Sequence, residues 1–206
     1  MMSKLFLSSS FADVADLFGN WIDGPGKGKS VTFISAASIP EAVKFYVKTG
    51  RKALEKLGFT IDELDIRTAG QEEMEKTFQR NDFIYVSGGN TFFLLQEMER
   101  TGAGPMIVEQ IKSGTCYIGE SAGSVLLSPD IEYVKHMDSC KKAPGLKGFE
   151  GLNVVDFYPL PHYTNFPFKR AVEKTIAAYD RKINLYPITN DQAIVVDGDK
   201  IEVIGK

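Results

Sequence analysis

The sequence predicts an α/β fold with a mostly parallel central sheet and helices on both faces. Three observations carry this prediction. Apolar runs of strand length, at residues 4–8, 31–35, 59–66, 82–86 and 115–119, alternate with segments whose apolar residues recur at helical spacing. Two of these runs end in glycine-bearing loops, Gly88-Gly89-Asn90 and Gly119-Glu120-Ser121. The chain is 206 residues long, which favours one domain over 1–206 able to bury roughly 70% of its unfolded surface.

The elements follow in order. Residues 4–8 read as a strand, and 11–21 as a helix with Ser10 as N-cap. Gly24-Pro25-Gly26-Lys27-Gly28 reads as a surface connection. It lacks the G-x-x-x-x-G-K-[ST] pattern and precedes a strand, so it is not a phosphate cradle. Strand 31–35 leads to a helix at 40–57 with Pro40 in its first turn. Strand 59–66, helix 71–79 and strand 82–86 follow. Helices are expected at 91–100 and 104–112, then the central strand 115–119. Residues 129–165 are richer in loops and short strands. A helix at 168–179 precedes strands 184–187, 193–197 and 200–204, the last two forming a hairpin about Gly198.

Composition narrows the function classes. Hydrophobic residues are 43%, charged residues 25% and the formal net charge is −3, as in an ordinary soluble globular protein. No basic patch suggests nucleic acid, and no segment approaches the roughly 18 apolar residues of a membrane span. The N-terminal run from Met1 is too short for a signal peptide, which makes the cytoplasm the expected location. Cys116 and Cys140 have neither C-x-x-C nor His-rich surroundings, so no metal site is expected. Cys116, within an apolar run, is expected to pack as a small hydrophobe.

Residues 117–127 carry the chemistry. An apolar strand ends in Gly119-Glu120-Ser121-Ala122-Gly123, and an apolar stretch at helical spacing follows. This is the G-x-S-x-G layout of a nucleophile elbow, with Ala in the fourth place. Flanking glycines let a strained turn hold the serine hydroxyl exposed, and the following helix end offers free N–H groups. The arrangement predicts a serine hydrolase. The expected oxyanion donors are the N–H of Ala122 and that of Gly88 or Gly89, because a tetrahedral oxyanion needs two donors. Asn90 and Glu120, beside these loops, are candidate substrate-binding residues.

The serine needs a base, and the chain has two histidines. His162 lies in Pro159-Leu160-Pro161-His162-Tyr163, where prolines stiffen the backbone, and is assigned the role. His136 lies among charged residues and is the weaker candidate. A third group should orient the imidazole. Asp191, in a loop between late strands, is the first choice. Asn190, which could do so without charge, and Asp156 or Asp138 are the alternatives.

At these residues the chain resembles the peptidase E family, the aspartyl dipeptidases related to cyanophycinases. Val86-Ser87-Gly88-Gly89-Asn90-Thr91-Phe92, Gly119-Glu120-Ser121-Ala122-Gly123, Ser128-Pro129 and Leu160-Pro161-His162-Tyr163-Thr164-Asn165 carry the match, in that order across most of the chain. The resemblance implies a flavodoxin-like fold similar to class I glutamine amidotransferases, with serine in place of their cysteine. It implies cofactor-free hydrolysis of short peptides, with Ser121 as nucleophile, His162 as base and an oxyanion donor from the glycine loop.

Three departures qualify the match. The family's triad glutamate falls at Asn190 or Asp191, so the resemblance implies a Ser-His-Asp triad or a Ser-His dyad. The family's aspartate falls at His136 or its neighbours. The loop that carries its substrate-binding arginine is shortened to Asn165-Phe166-Pro167-Phe168-Lys169-Arg170. Arg170 is the remaining candidate for a substrate carboxylate, and strict aspartyl specificity is not expected. The expected partner is a small peptide, with the chain a monomer or homodimer. The competing readings are an esterase or amidase on the same site, and a non-catalytic relative that binds a small ligand.

Overall fold

The computed structural model describes residues 3–22, 24 and 26–205. Met1 and Met2 of the N-terminal run, and Pro25 of the expected connection, lie outside the described residues. Nine strands are present among these residues: β1 (Lys4–Ser8), β2 (Ser30–Ile34), β3 (Thr60–Glu63), β4 (Phe83–Val86), β5 (Cys116–Glu120), β6 (Tyr158–Leu160), β7 (Leu185–Pro187), β8 (Gln192–Asp197) and β9 (Lys200–Gly205). The helices are α1 (Phe11–Trp21), α2 (Phe45–Lys56), α3 (Gln71–Arg80), α4 (Thr91–Thr101), α5 (Ala103–Lys112), α6 (Ala122–Val125) and α7 (Lys169–Tyr179).

Seven strands form one sheet in the order β3-β2-β4-β5-β1-β8-β9. The first five are mutually parallel; at one edge β8 pairs antiparallel with β1, and β9 antiparallel with β8. Both faces are covered, as the apolar runs require. Successive side chains of a strand point to opposite faces. Leu5 and Leu7 of β1 accordingly join a core with residues of α3, α4, α5 and α7, while Phe6 joins an aromatic core beneath α1 and α2. In that second core Phe6, Phe11 and Phe18 meet edge to face. Each phenylalanine buried in this way contributes on the order of 1.5–3 kcal/mol. A separate two-stranded parallel sheet, β6-β7, stands beyond the main sheet and delivers the histidine segment.

The expected elements are present, with three shifts of boundary. The helix expected from Pro40 begins at Phe45. Before it, Ala36–Ser38 forms a 3₁₀ turn whose Ala37 carbonyl accepts from Asn90 N–H at 2.8 Å. This crossing pins the chain against Gly89, so the helix forms only once the chain has cleared it. β3 spans four residues rather than eight, because it pairs with β2 only from Thr60 to Glu63. The helix after the elbow is a single turn, closed where Ser128 Oγ reaches back to the Val125 carbonyl and forward to the Asp130 carbonyl beyond Pro129. Among the described residues no helix is long and apolar enough to cross a membrane.

Candidate active site

The site forms at the carboxyl ends of β1, β4 and β5, where open parallel sheets place their ligands. Ser121 leaves β5 with φ 49° and ψ −105°, a conformation few side chains adopt. The strain is held by close packing on both sides. A Cβ at Gly119 would lie 2.8 Å from the Gly123 backbone, and one at Gly123 would lie 2.2 Å from the Val86 carbonyl oxygen. The Ser8 carbonyl accepts from Ser121 N–H and from Ser124 Oγ, each at 2.8 Å. The end of β1 thereby ties both sides of the turn.

Ser121 Oγ lies 3.0 Å from His162 Nε2. The ring's other nitrogen, Nδ1, lies 2.9 Å from Asn190 Oδ1. With an amide oxygen facing it, Nδ1 holds the proton and Nε2 accepts from the serine hydroxyl. Burial lowers the imidazole pKa below its usual 6.5, and the Asn190 hydrogen bond offsets part of that. The ring is therefore neutral at pH 7 and can take up a proton.

His162 also has a positive φ, 65°. Long-range contacts hold it there. Its N–H donates to Ser9 Oγ at 3.0 Å, and Ser9 Oγ donates to the Ile188 carbonyl. Tyr163 N–H donates to that same carbonyl, and Asn190 N–H donates to Asn165 Oδ1. Phe168 stacks on the imidazole, with centroids 4.6 Å apart and planes 18° apart.

Several expected site residues lie elsewhere than the sequence suggested. Asp191 is exposed, and its neighbour Asn190 faces the imidazole. The chain runs directly from the Thr189-Asn190 turn into β8, and only Asn190 points its side chain back over His162. Glu120 does not line the pocket: it is 2% exposed and turned under the sheet's end. Its Oε1 accepts from Phe11 N–H at 3.0 Å, and its Oε2 accepts from the Tyr85 hydroxyl at 2.8 Å and Gly88 N–H at 3.4 Å. Burial raises its pKa against these hydrogen bonds. At the first turn of α1 this carboxylate does what Ser10 was expected to do, since Ser10 makes no side-chain capping bond.

Gly88 N–H is thus directed to Glu120 rather than to a substrate. A Cβ on Gly88 would sit 3.3 Å from Ser121 Cβ, so its glycine character leaves room beside Ser121. Gly89 (φ 139°) presses its α-carbon against Ala37, where a Cβ would lie 2.2 Å from backbone atoms. Among the described residues, neither Gly89 N–H nor Ala122 N–H donates to a protein acceptor. Asn90 is 1% exposed and structural: its Oδ1 caps α4 at Phe93 N–H, and its Nδ2 donates to the Ser139 carbonyl.

Asp138 binds Thr91 through both the backbone N–H and Oγ1, and burial pushes its pKa up to about 6. His136 and Asp156 are exposed, away from these contacts. Arg170 is exposed in the first turn of α7, two residues past Phe168. Cys116 is buried and its thiol pushed up to about 12, while Cys140 is exposed; both are free. Sequence reading missed Ser8, Ser9 and Phe168. The signal for the first two was a run of three serines that begins at the last residue of a strand.

The model of peptidase family S51 matches residues 3–204. Among curated proteins, one named an uncharacterized peptidase from Listeria innocua is 51% identical over 200 residues, covering 97% of this chain and 95% of that protein. A second so named, from Pasteurella multocida, is 53% identical over 198 residues, with 96% and 95% covered. Peptidase E from Salmonella arizonae is 31% identical over 149 residues, covering 72% of this chain and 60% of its own length. A crystal structure from Listeria monocytogenes, of a protein provisionally assigned as peptidase E, superposes with a TM-score of 0.95 at 50% identity over the whole of both chains.

Proposed function

The chain belongs to peptidase family S51, and from that premise we propose that it is a serine peptidase acting on short peptides. The observation that carries this reading is the Ser121–His162 contact, 3.0 Å long and made by a serine held in a strained elbow. Ser121 Oγ attacks the scissile carbonyl carbon while His162 Nε2 takes its proton. The carbonyl oxygen becomes an oxyanion and accepts from the N–H groups of Gly89 and Ala122. The C–N bond then breaks, the imidazolium returns its proton to the departing amine, and an acyl-Ser121 ester remains. Water, deprotonated by His162, attacks that ester. The second tetrahedral species collapses to the free acid, and the proton returns to Ser121.

Asn190 holds the imidazole in the tautomer this cycle needs. A neutral amide stabilises the imidazolium less than an aspartate would. Relatives named Peptidase E support a peptide substrate. Arg170, exposed at the start of α7, is the cation we assign to a substrate carboxylate at the rim.

A fluorophosphonate probe tests the mechanism, since it reacts only with an activated serine. Wild-type protein should be labelled at Ser121. Ser121→Ala should stay folded, escape labelling and lose at least about 10⁴-fold in kcat for peptide hydrolysis. A folded wild type whose Ser121 stays unlabelled would shift the reading to a non-catalytic relative that binds a small ligand.

A further inference from the structure

α2 lays Tyr46 and, one turn later, Gly50 over the carboxyl ends of β4 and β5. A Cβ on Gly50 would lie 2.4 Å from Tyr85 Oη and 3.6 Å from Glu120 Oε2, so the helix backbone rests on that buried pair. A Cβ on Gly88 would lie 3.3 Å from Ser121 Cβ and 3.7 Å from the Tyr46 ring. Gly88 is therefore the thin partition between Tyr46 and the nucleophile.

The Tyr46 hydroxyl is shielded from solvent, and it is the one buried side-chain polar atom among the described residues without a hydrogen-bond partner. A buried unbonded hydroxyl costs on the order of 1–3 kcal/mol. Phenylalanine would fill the same space without that cost, so packing alone gives no reason for the hydroxyl. Burial, with the nearby carboxylates of Glu41, Glu120 and Asp138, raises its pKa and keeps it a donor. Each of those carboxylates is held by another group: Glu41 by Lys142, Glu120 by Tyr85 and two backbone N–H groups, Asp138 by Thr91. The donor has no protein acceptor, and the three carboxyl groups around it disfavour an anionic ligand group. A neutral carbonyl oxygen fits both conditions.

We propose that Tyr46 is a substrate-binding residue whose hydroxyl donates to a backbone carbonyl oxygen of the peptide lying along the Gly88–Gly89 edge of the site. This deepens the peptidase reading above and rests on it. Two probes separate the claims: a small fluorophosphonate, which reports only on the activation of Ser121, and an Ala-Ala-Ala diphenyl phosphonate, which must also bind as a peptide.

In Tyr46→Phe the second-order rate with the peptidyl phosphonate should fall about tenfold, the loss of one neutral hydrogen bond. The fluorophosphonate rate should not change, and Tm should be equal or higher because an unbonded hydroxyl has been removed. Equal rates for wild type and variant with the peptidyl probe, a parallel loss with both probes, or a Tm lowered by several degrees would each overturn the proposal. A wild type that reacts with the fluorophosphonate but not with the peptidyl probe would remove the inference while leaving the activated serine standing. A wild type unreactive with both would remove the peptidase reading itself.

Discussion

The elbow at Ser121 and the segment carrying His162 hold their residues in the same uncommon backbone region, φ 49° and φ 65°, by opposite means. The elbow is enforced chiefly by close packing, with the Ser8 carbonyl tying both sides of the turn. Gly119 and Gly123 touch one another, and Gly123 sits against Val86 of the adjoining strand, so the turn has no room to relax. The histidine segment is enforced from a distance. Ser9 is 153 residues away in sequence and Asn190 is 28 away, and together with the Ile188 carbonyl they hold the loop. Steric confinement makes Ser121 intolerant of change around it. At His162 the hydrogen bond from the ring to Asn190 also bears on the imidazole pKa.

The largest expected effect comes from breaking the steric side. Gly123→Ala places a Cβ 2.2 Å from a backbone oxygen in the middle of the sheet, where no flexible side chain can give way. We expect a loss of about 3 kcal/mol, at the upper end of overpacking effects. Calorimetry should show this as a fall in Tm of roughly 6–12 °C for a chain of this length. A variant as stable as wild type would mean that packing does not enforce the elbow.

An intermediate effect is expected on the hydrogen-bonded side. Asn190→Ala frees the ring to change tautomer and should lower kcat on the order of 10²-fold. That is less than the roughly 10⁴-fold seen when a triad aspartate becomes asparagine, because no charge is lost here. The pH dependence follows with its sign. In the proposed mechanism the base works when neutral, and burial lowers the His162 pKa from 6.5, so the acid limb of kcat/KM should lie below pH 6.5. In Asn190→Asp a carboxylate faces Nδ1 and favours the imidazolium, so that limb should move up by about one unit. A limb that stays in place would mean that Asn190 does not face the titrating group.

The smallest effect is expected next door. Asp191→Asn changes an exposed carboxylate that makes no contact with His162, and kcat/KM should stay within about twofold, as for surface substitutions generally. A large loss there would restore Asp191 as the orienting residue and break the contrast between the two neighbours.

The same division separates what could be read from the sequence. The strands, the order of helices, the elbow and the choice of His162 all follow from local patterns. Each depends on residues adjacent in the chain: apolar periodicity, a glycine on either side of a serine, prolines about a histidine. Glu120 shows the limit of such reading. Its place beside the nucleophile suggested a substrate contact. Consecutive residues at the end of a strand face opposite ways, and this one points down to Tyr85 and the start of α1. Gly88 then loses its N–H to that carboxylate, leaving Gly89 as the loop's unbonded donor. Asn90 looked like a ligand residue because it borders the glycines, yet it caps α4 and ties down the Ser139 carbonyl.

The sequence by itself determined the sheet, the elbow and the two residues that meet at 3.0 Å, because these rest on short-range sterics and on alternation between faces. Only the tertiary structure decided that Asn190 rather than Asp191 faces the imidazole, that Glu120 is a buried cap, and that Tyr46 stands unbonded beside Gly88. Those outcomes depend on how segments far apart in the chain cross at the end of the sheet. A shift of one residue in such a crossing exchanges one side chain for its neighbour. No local pattern records which of the two will face inward.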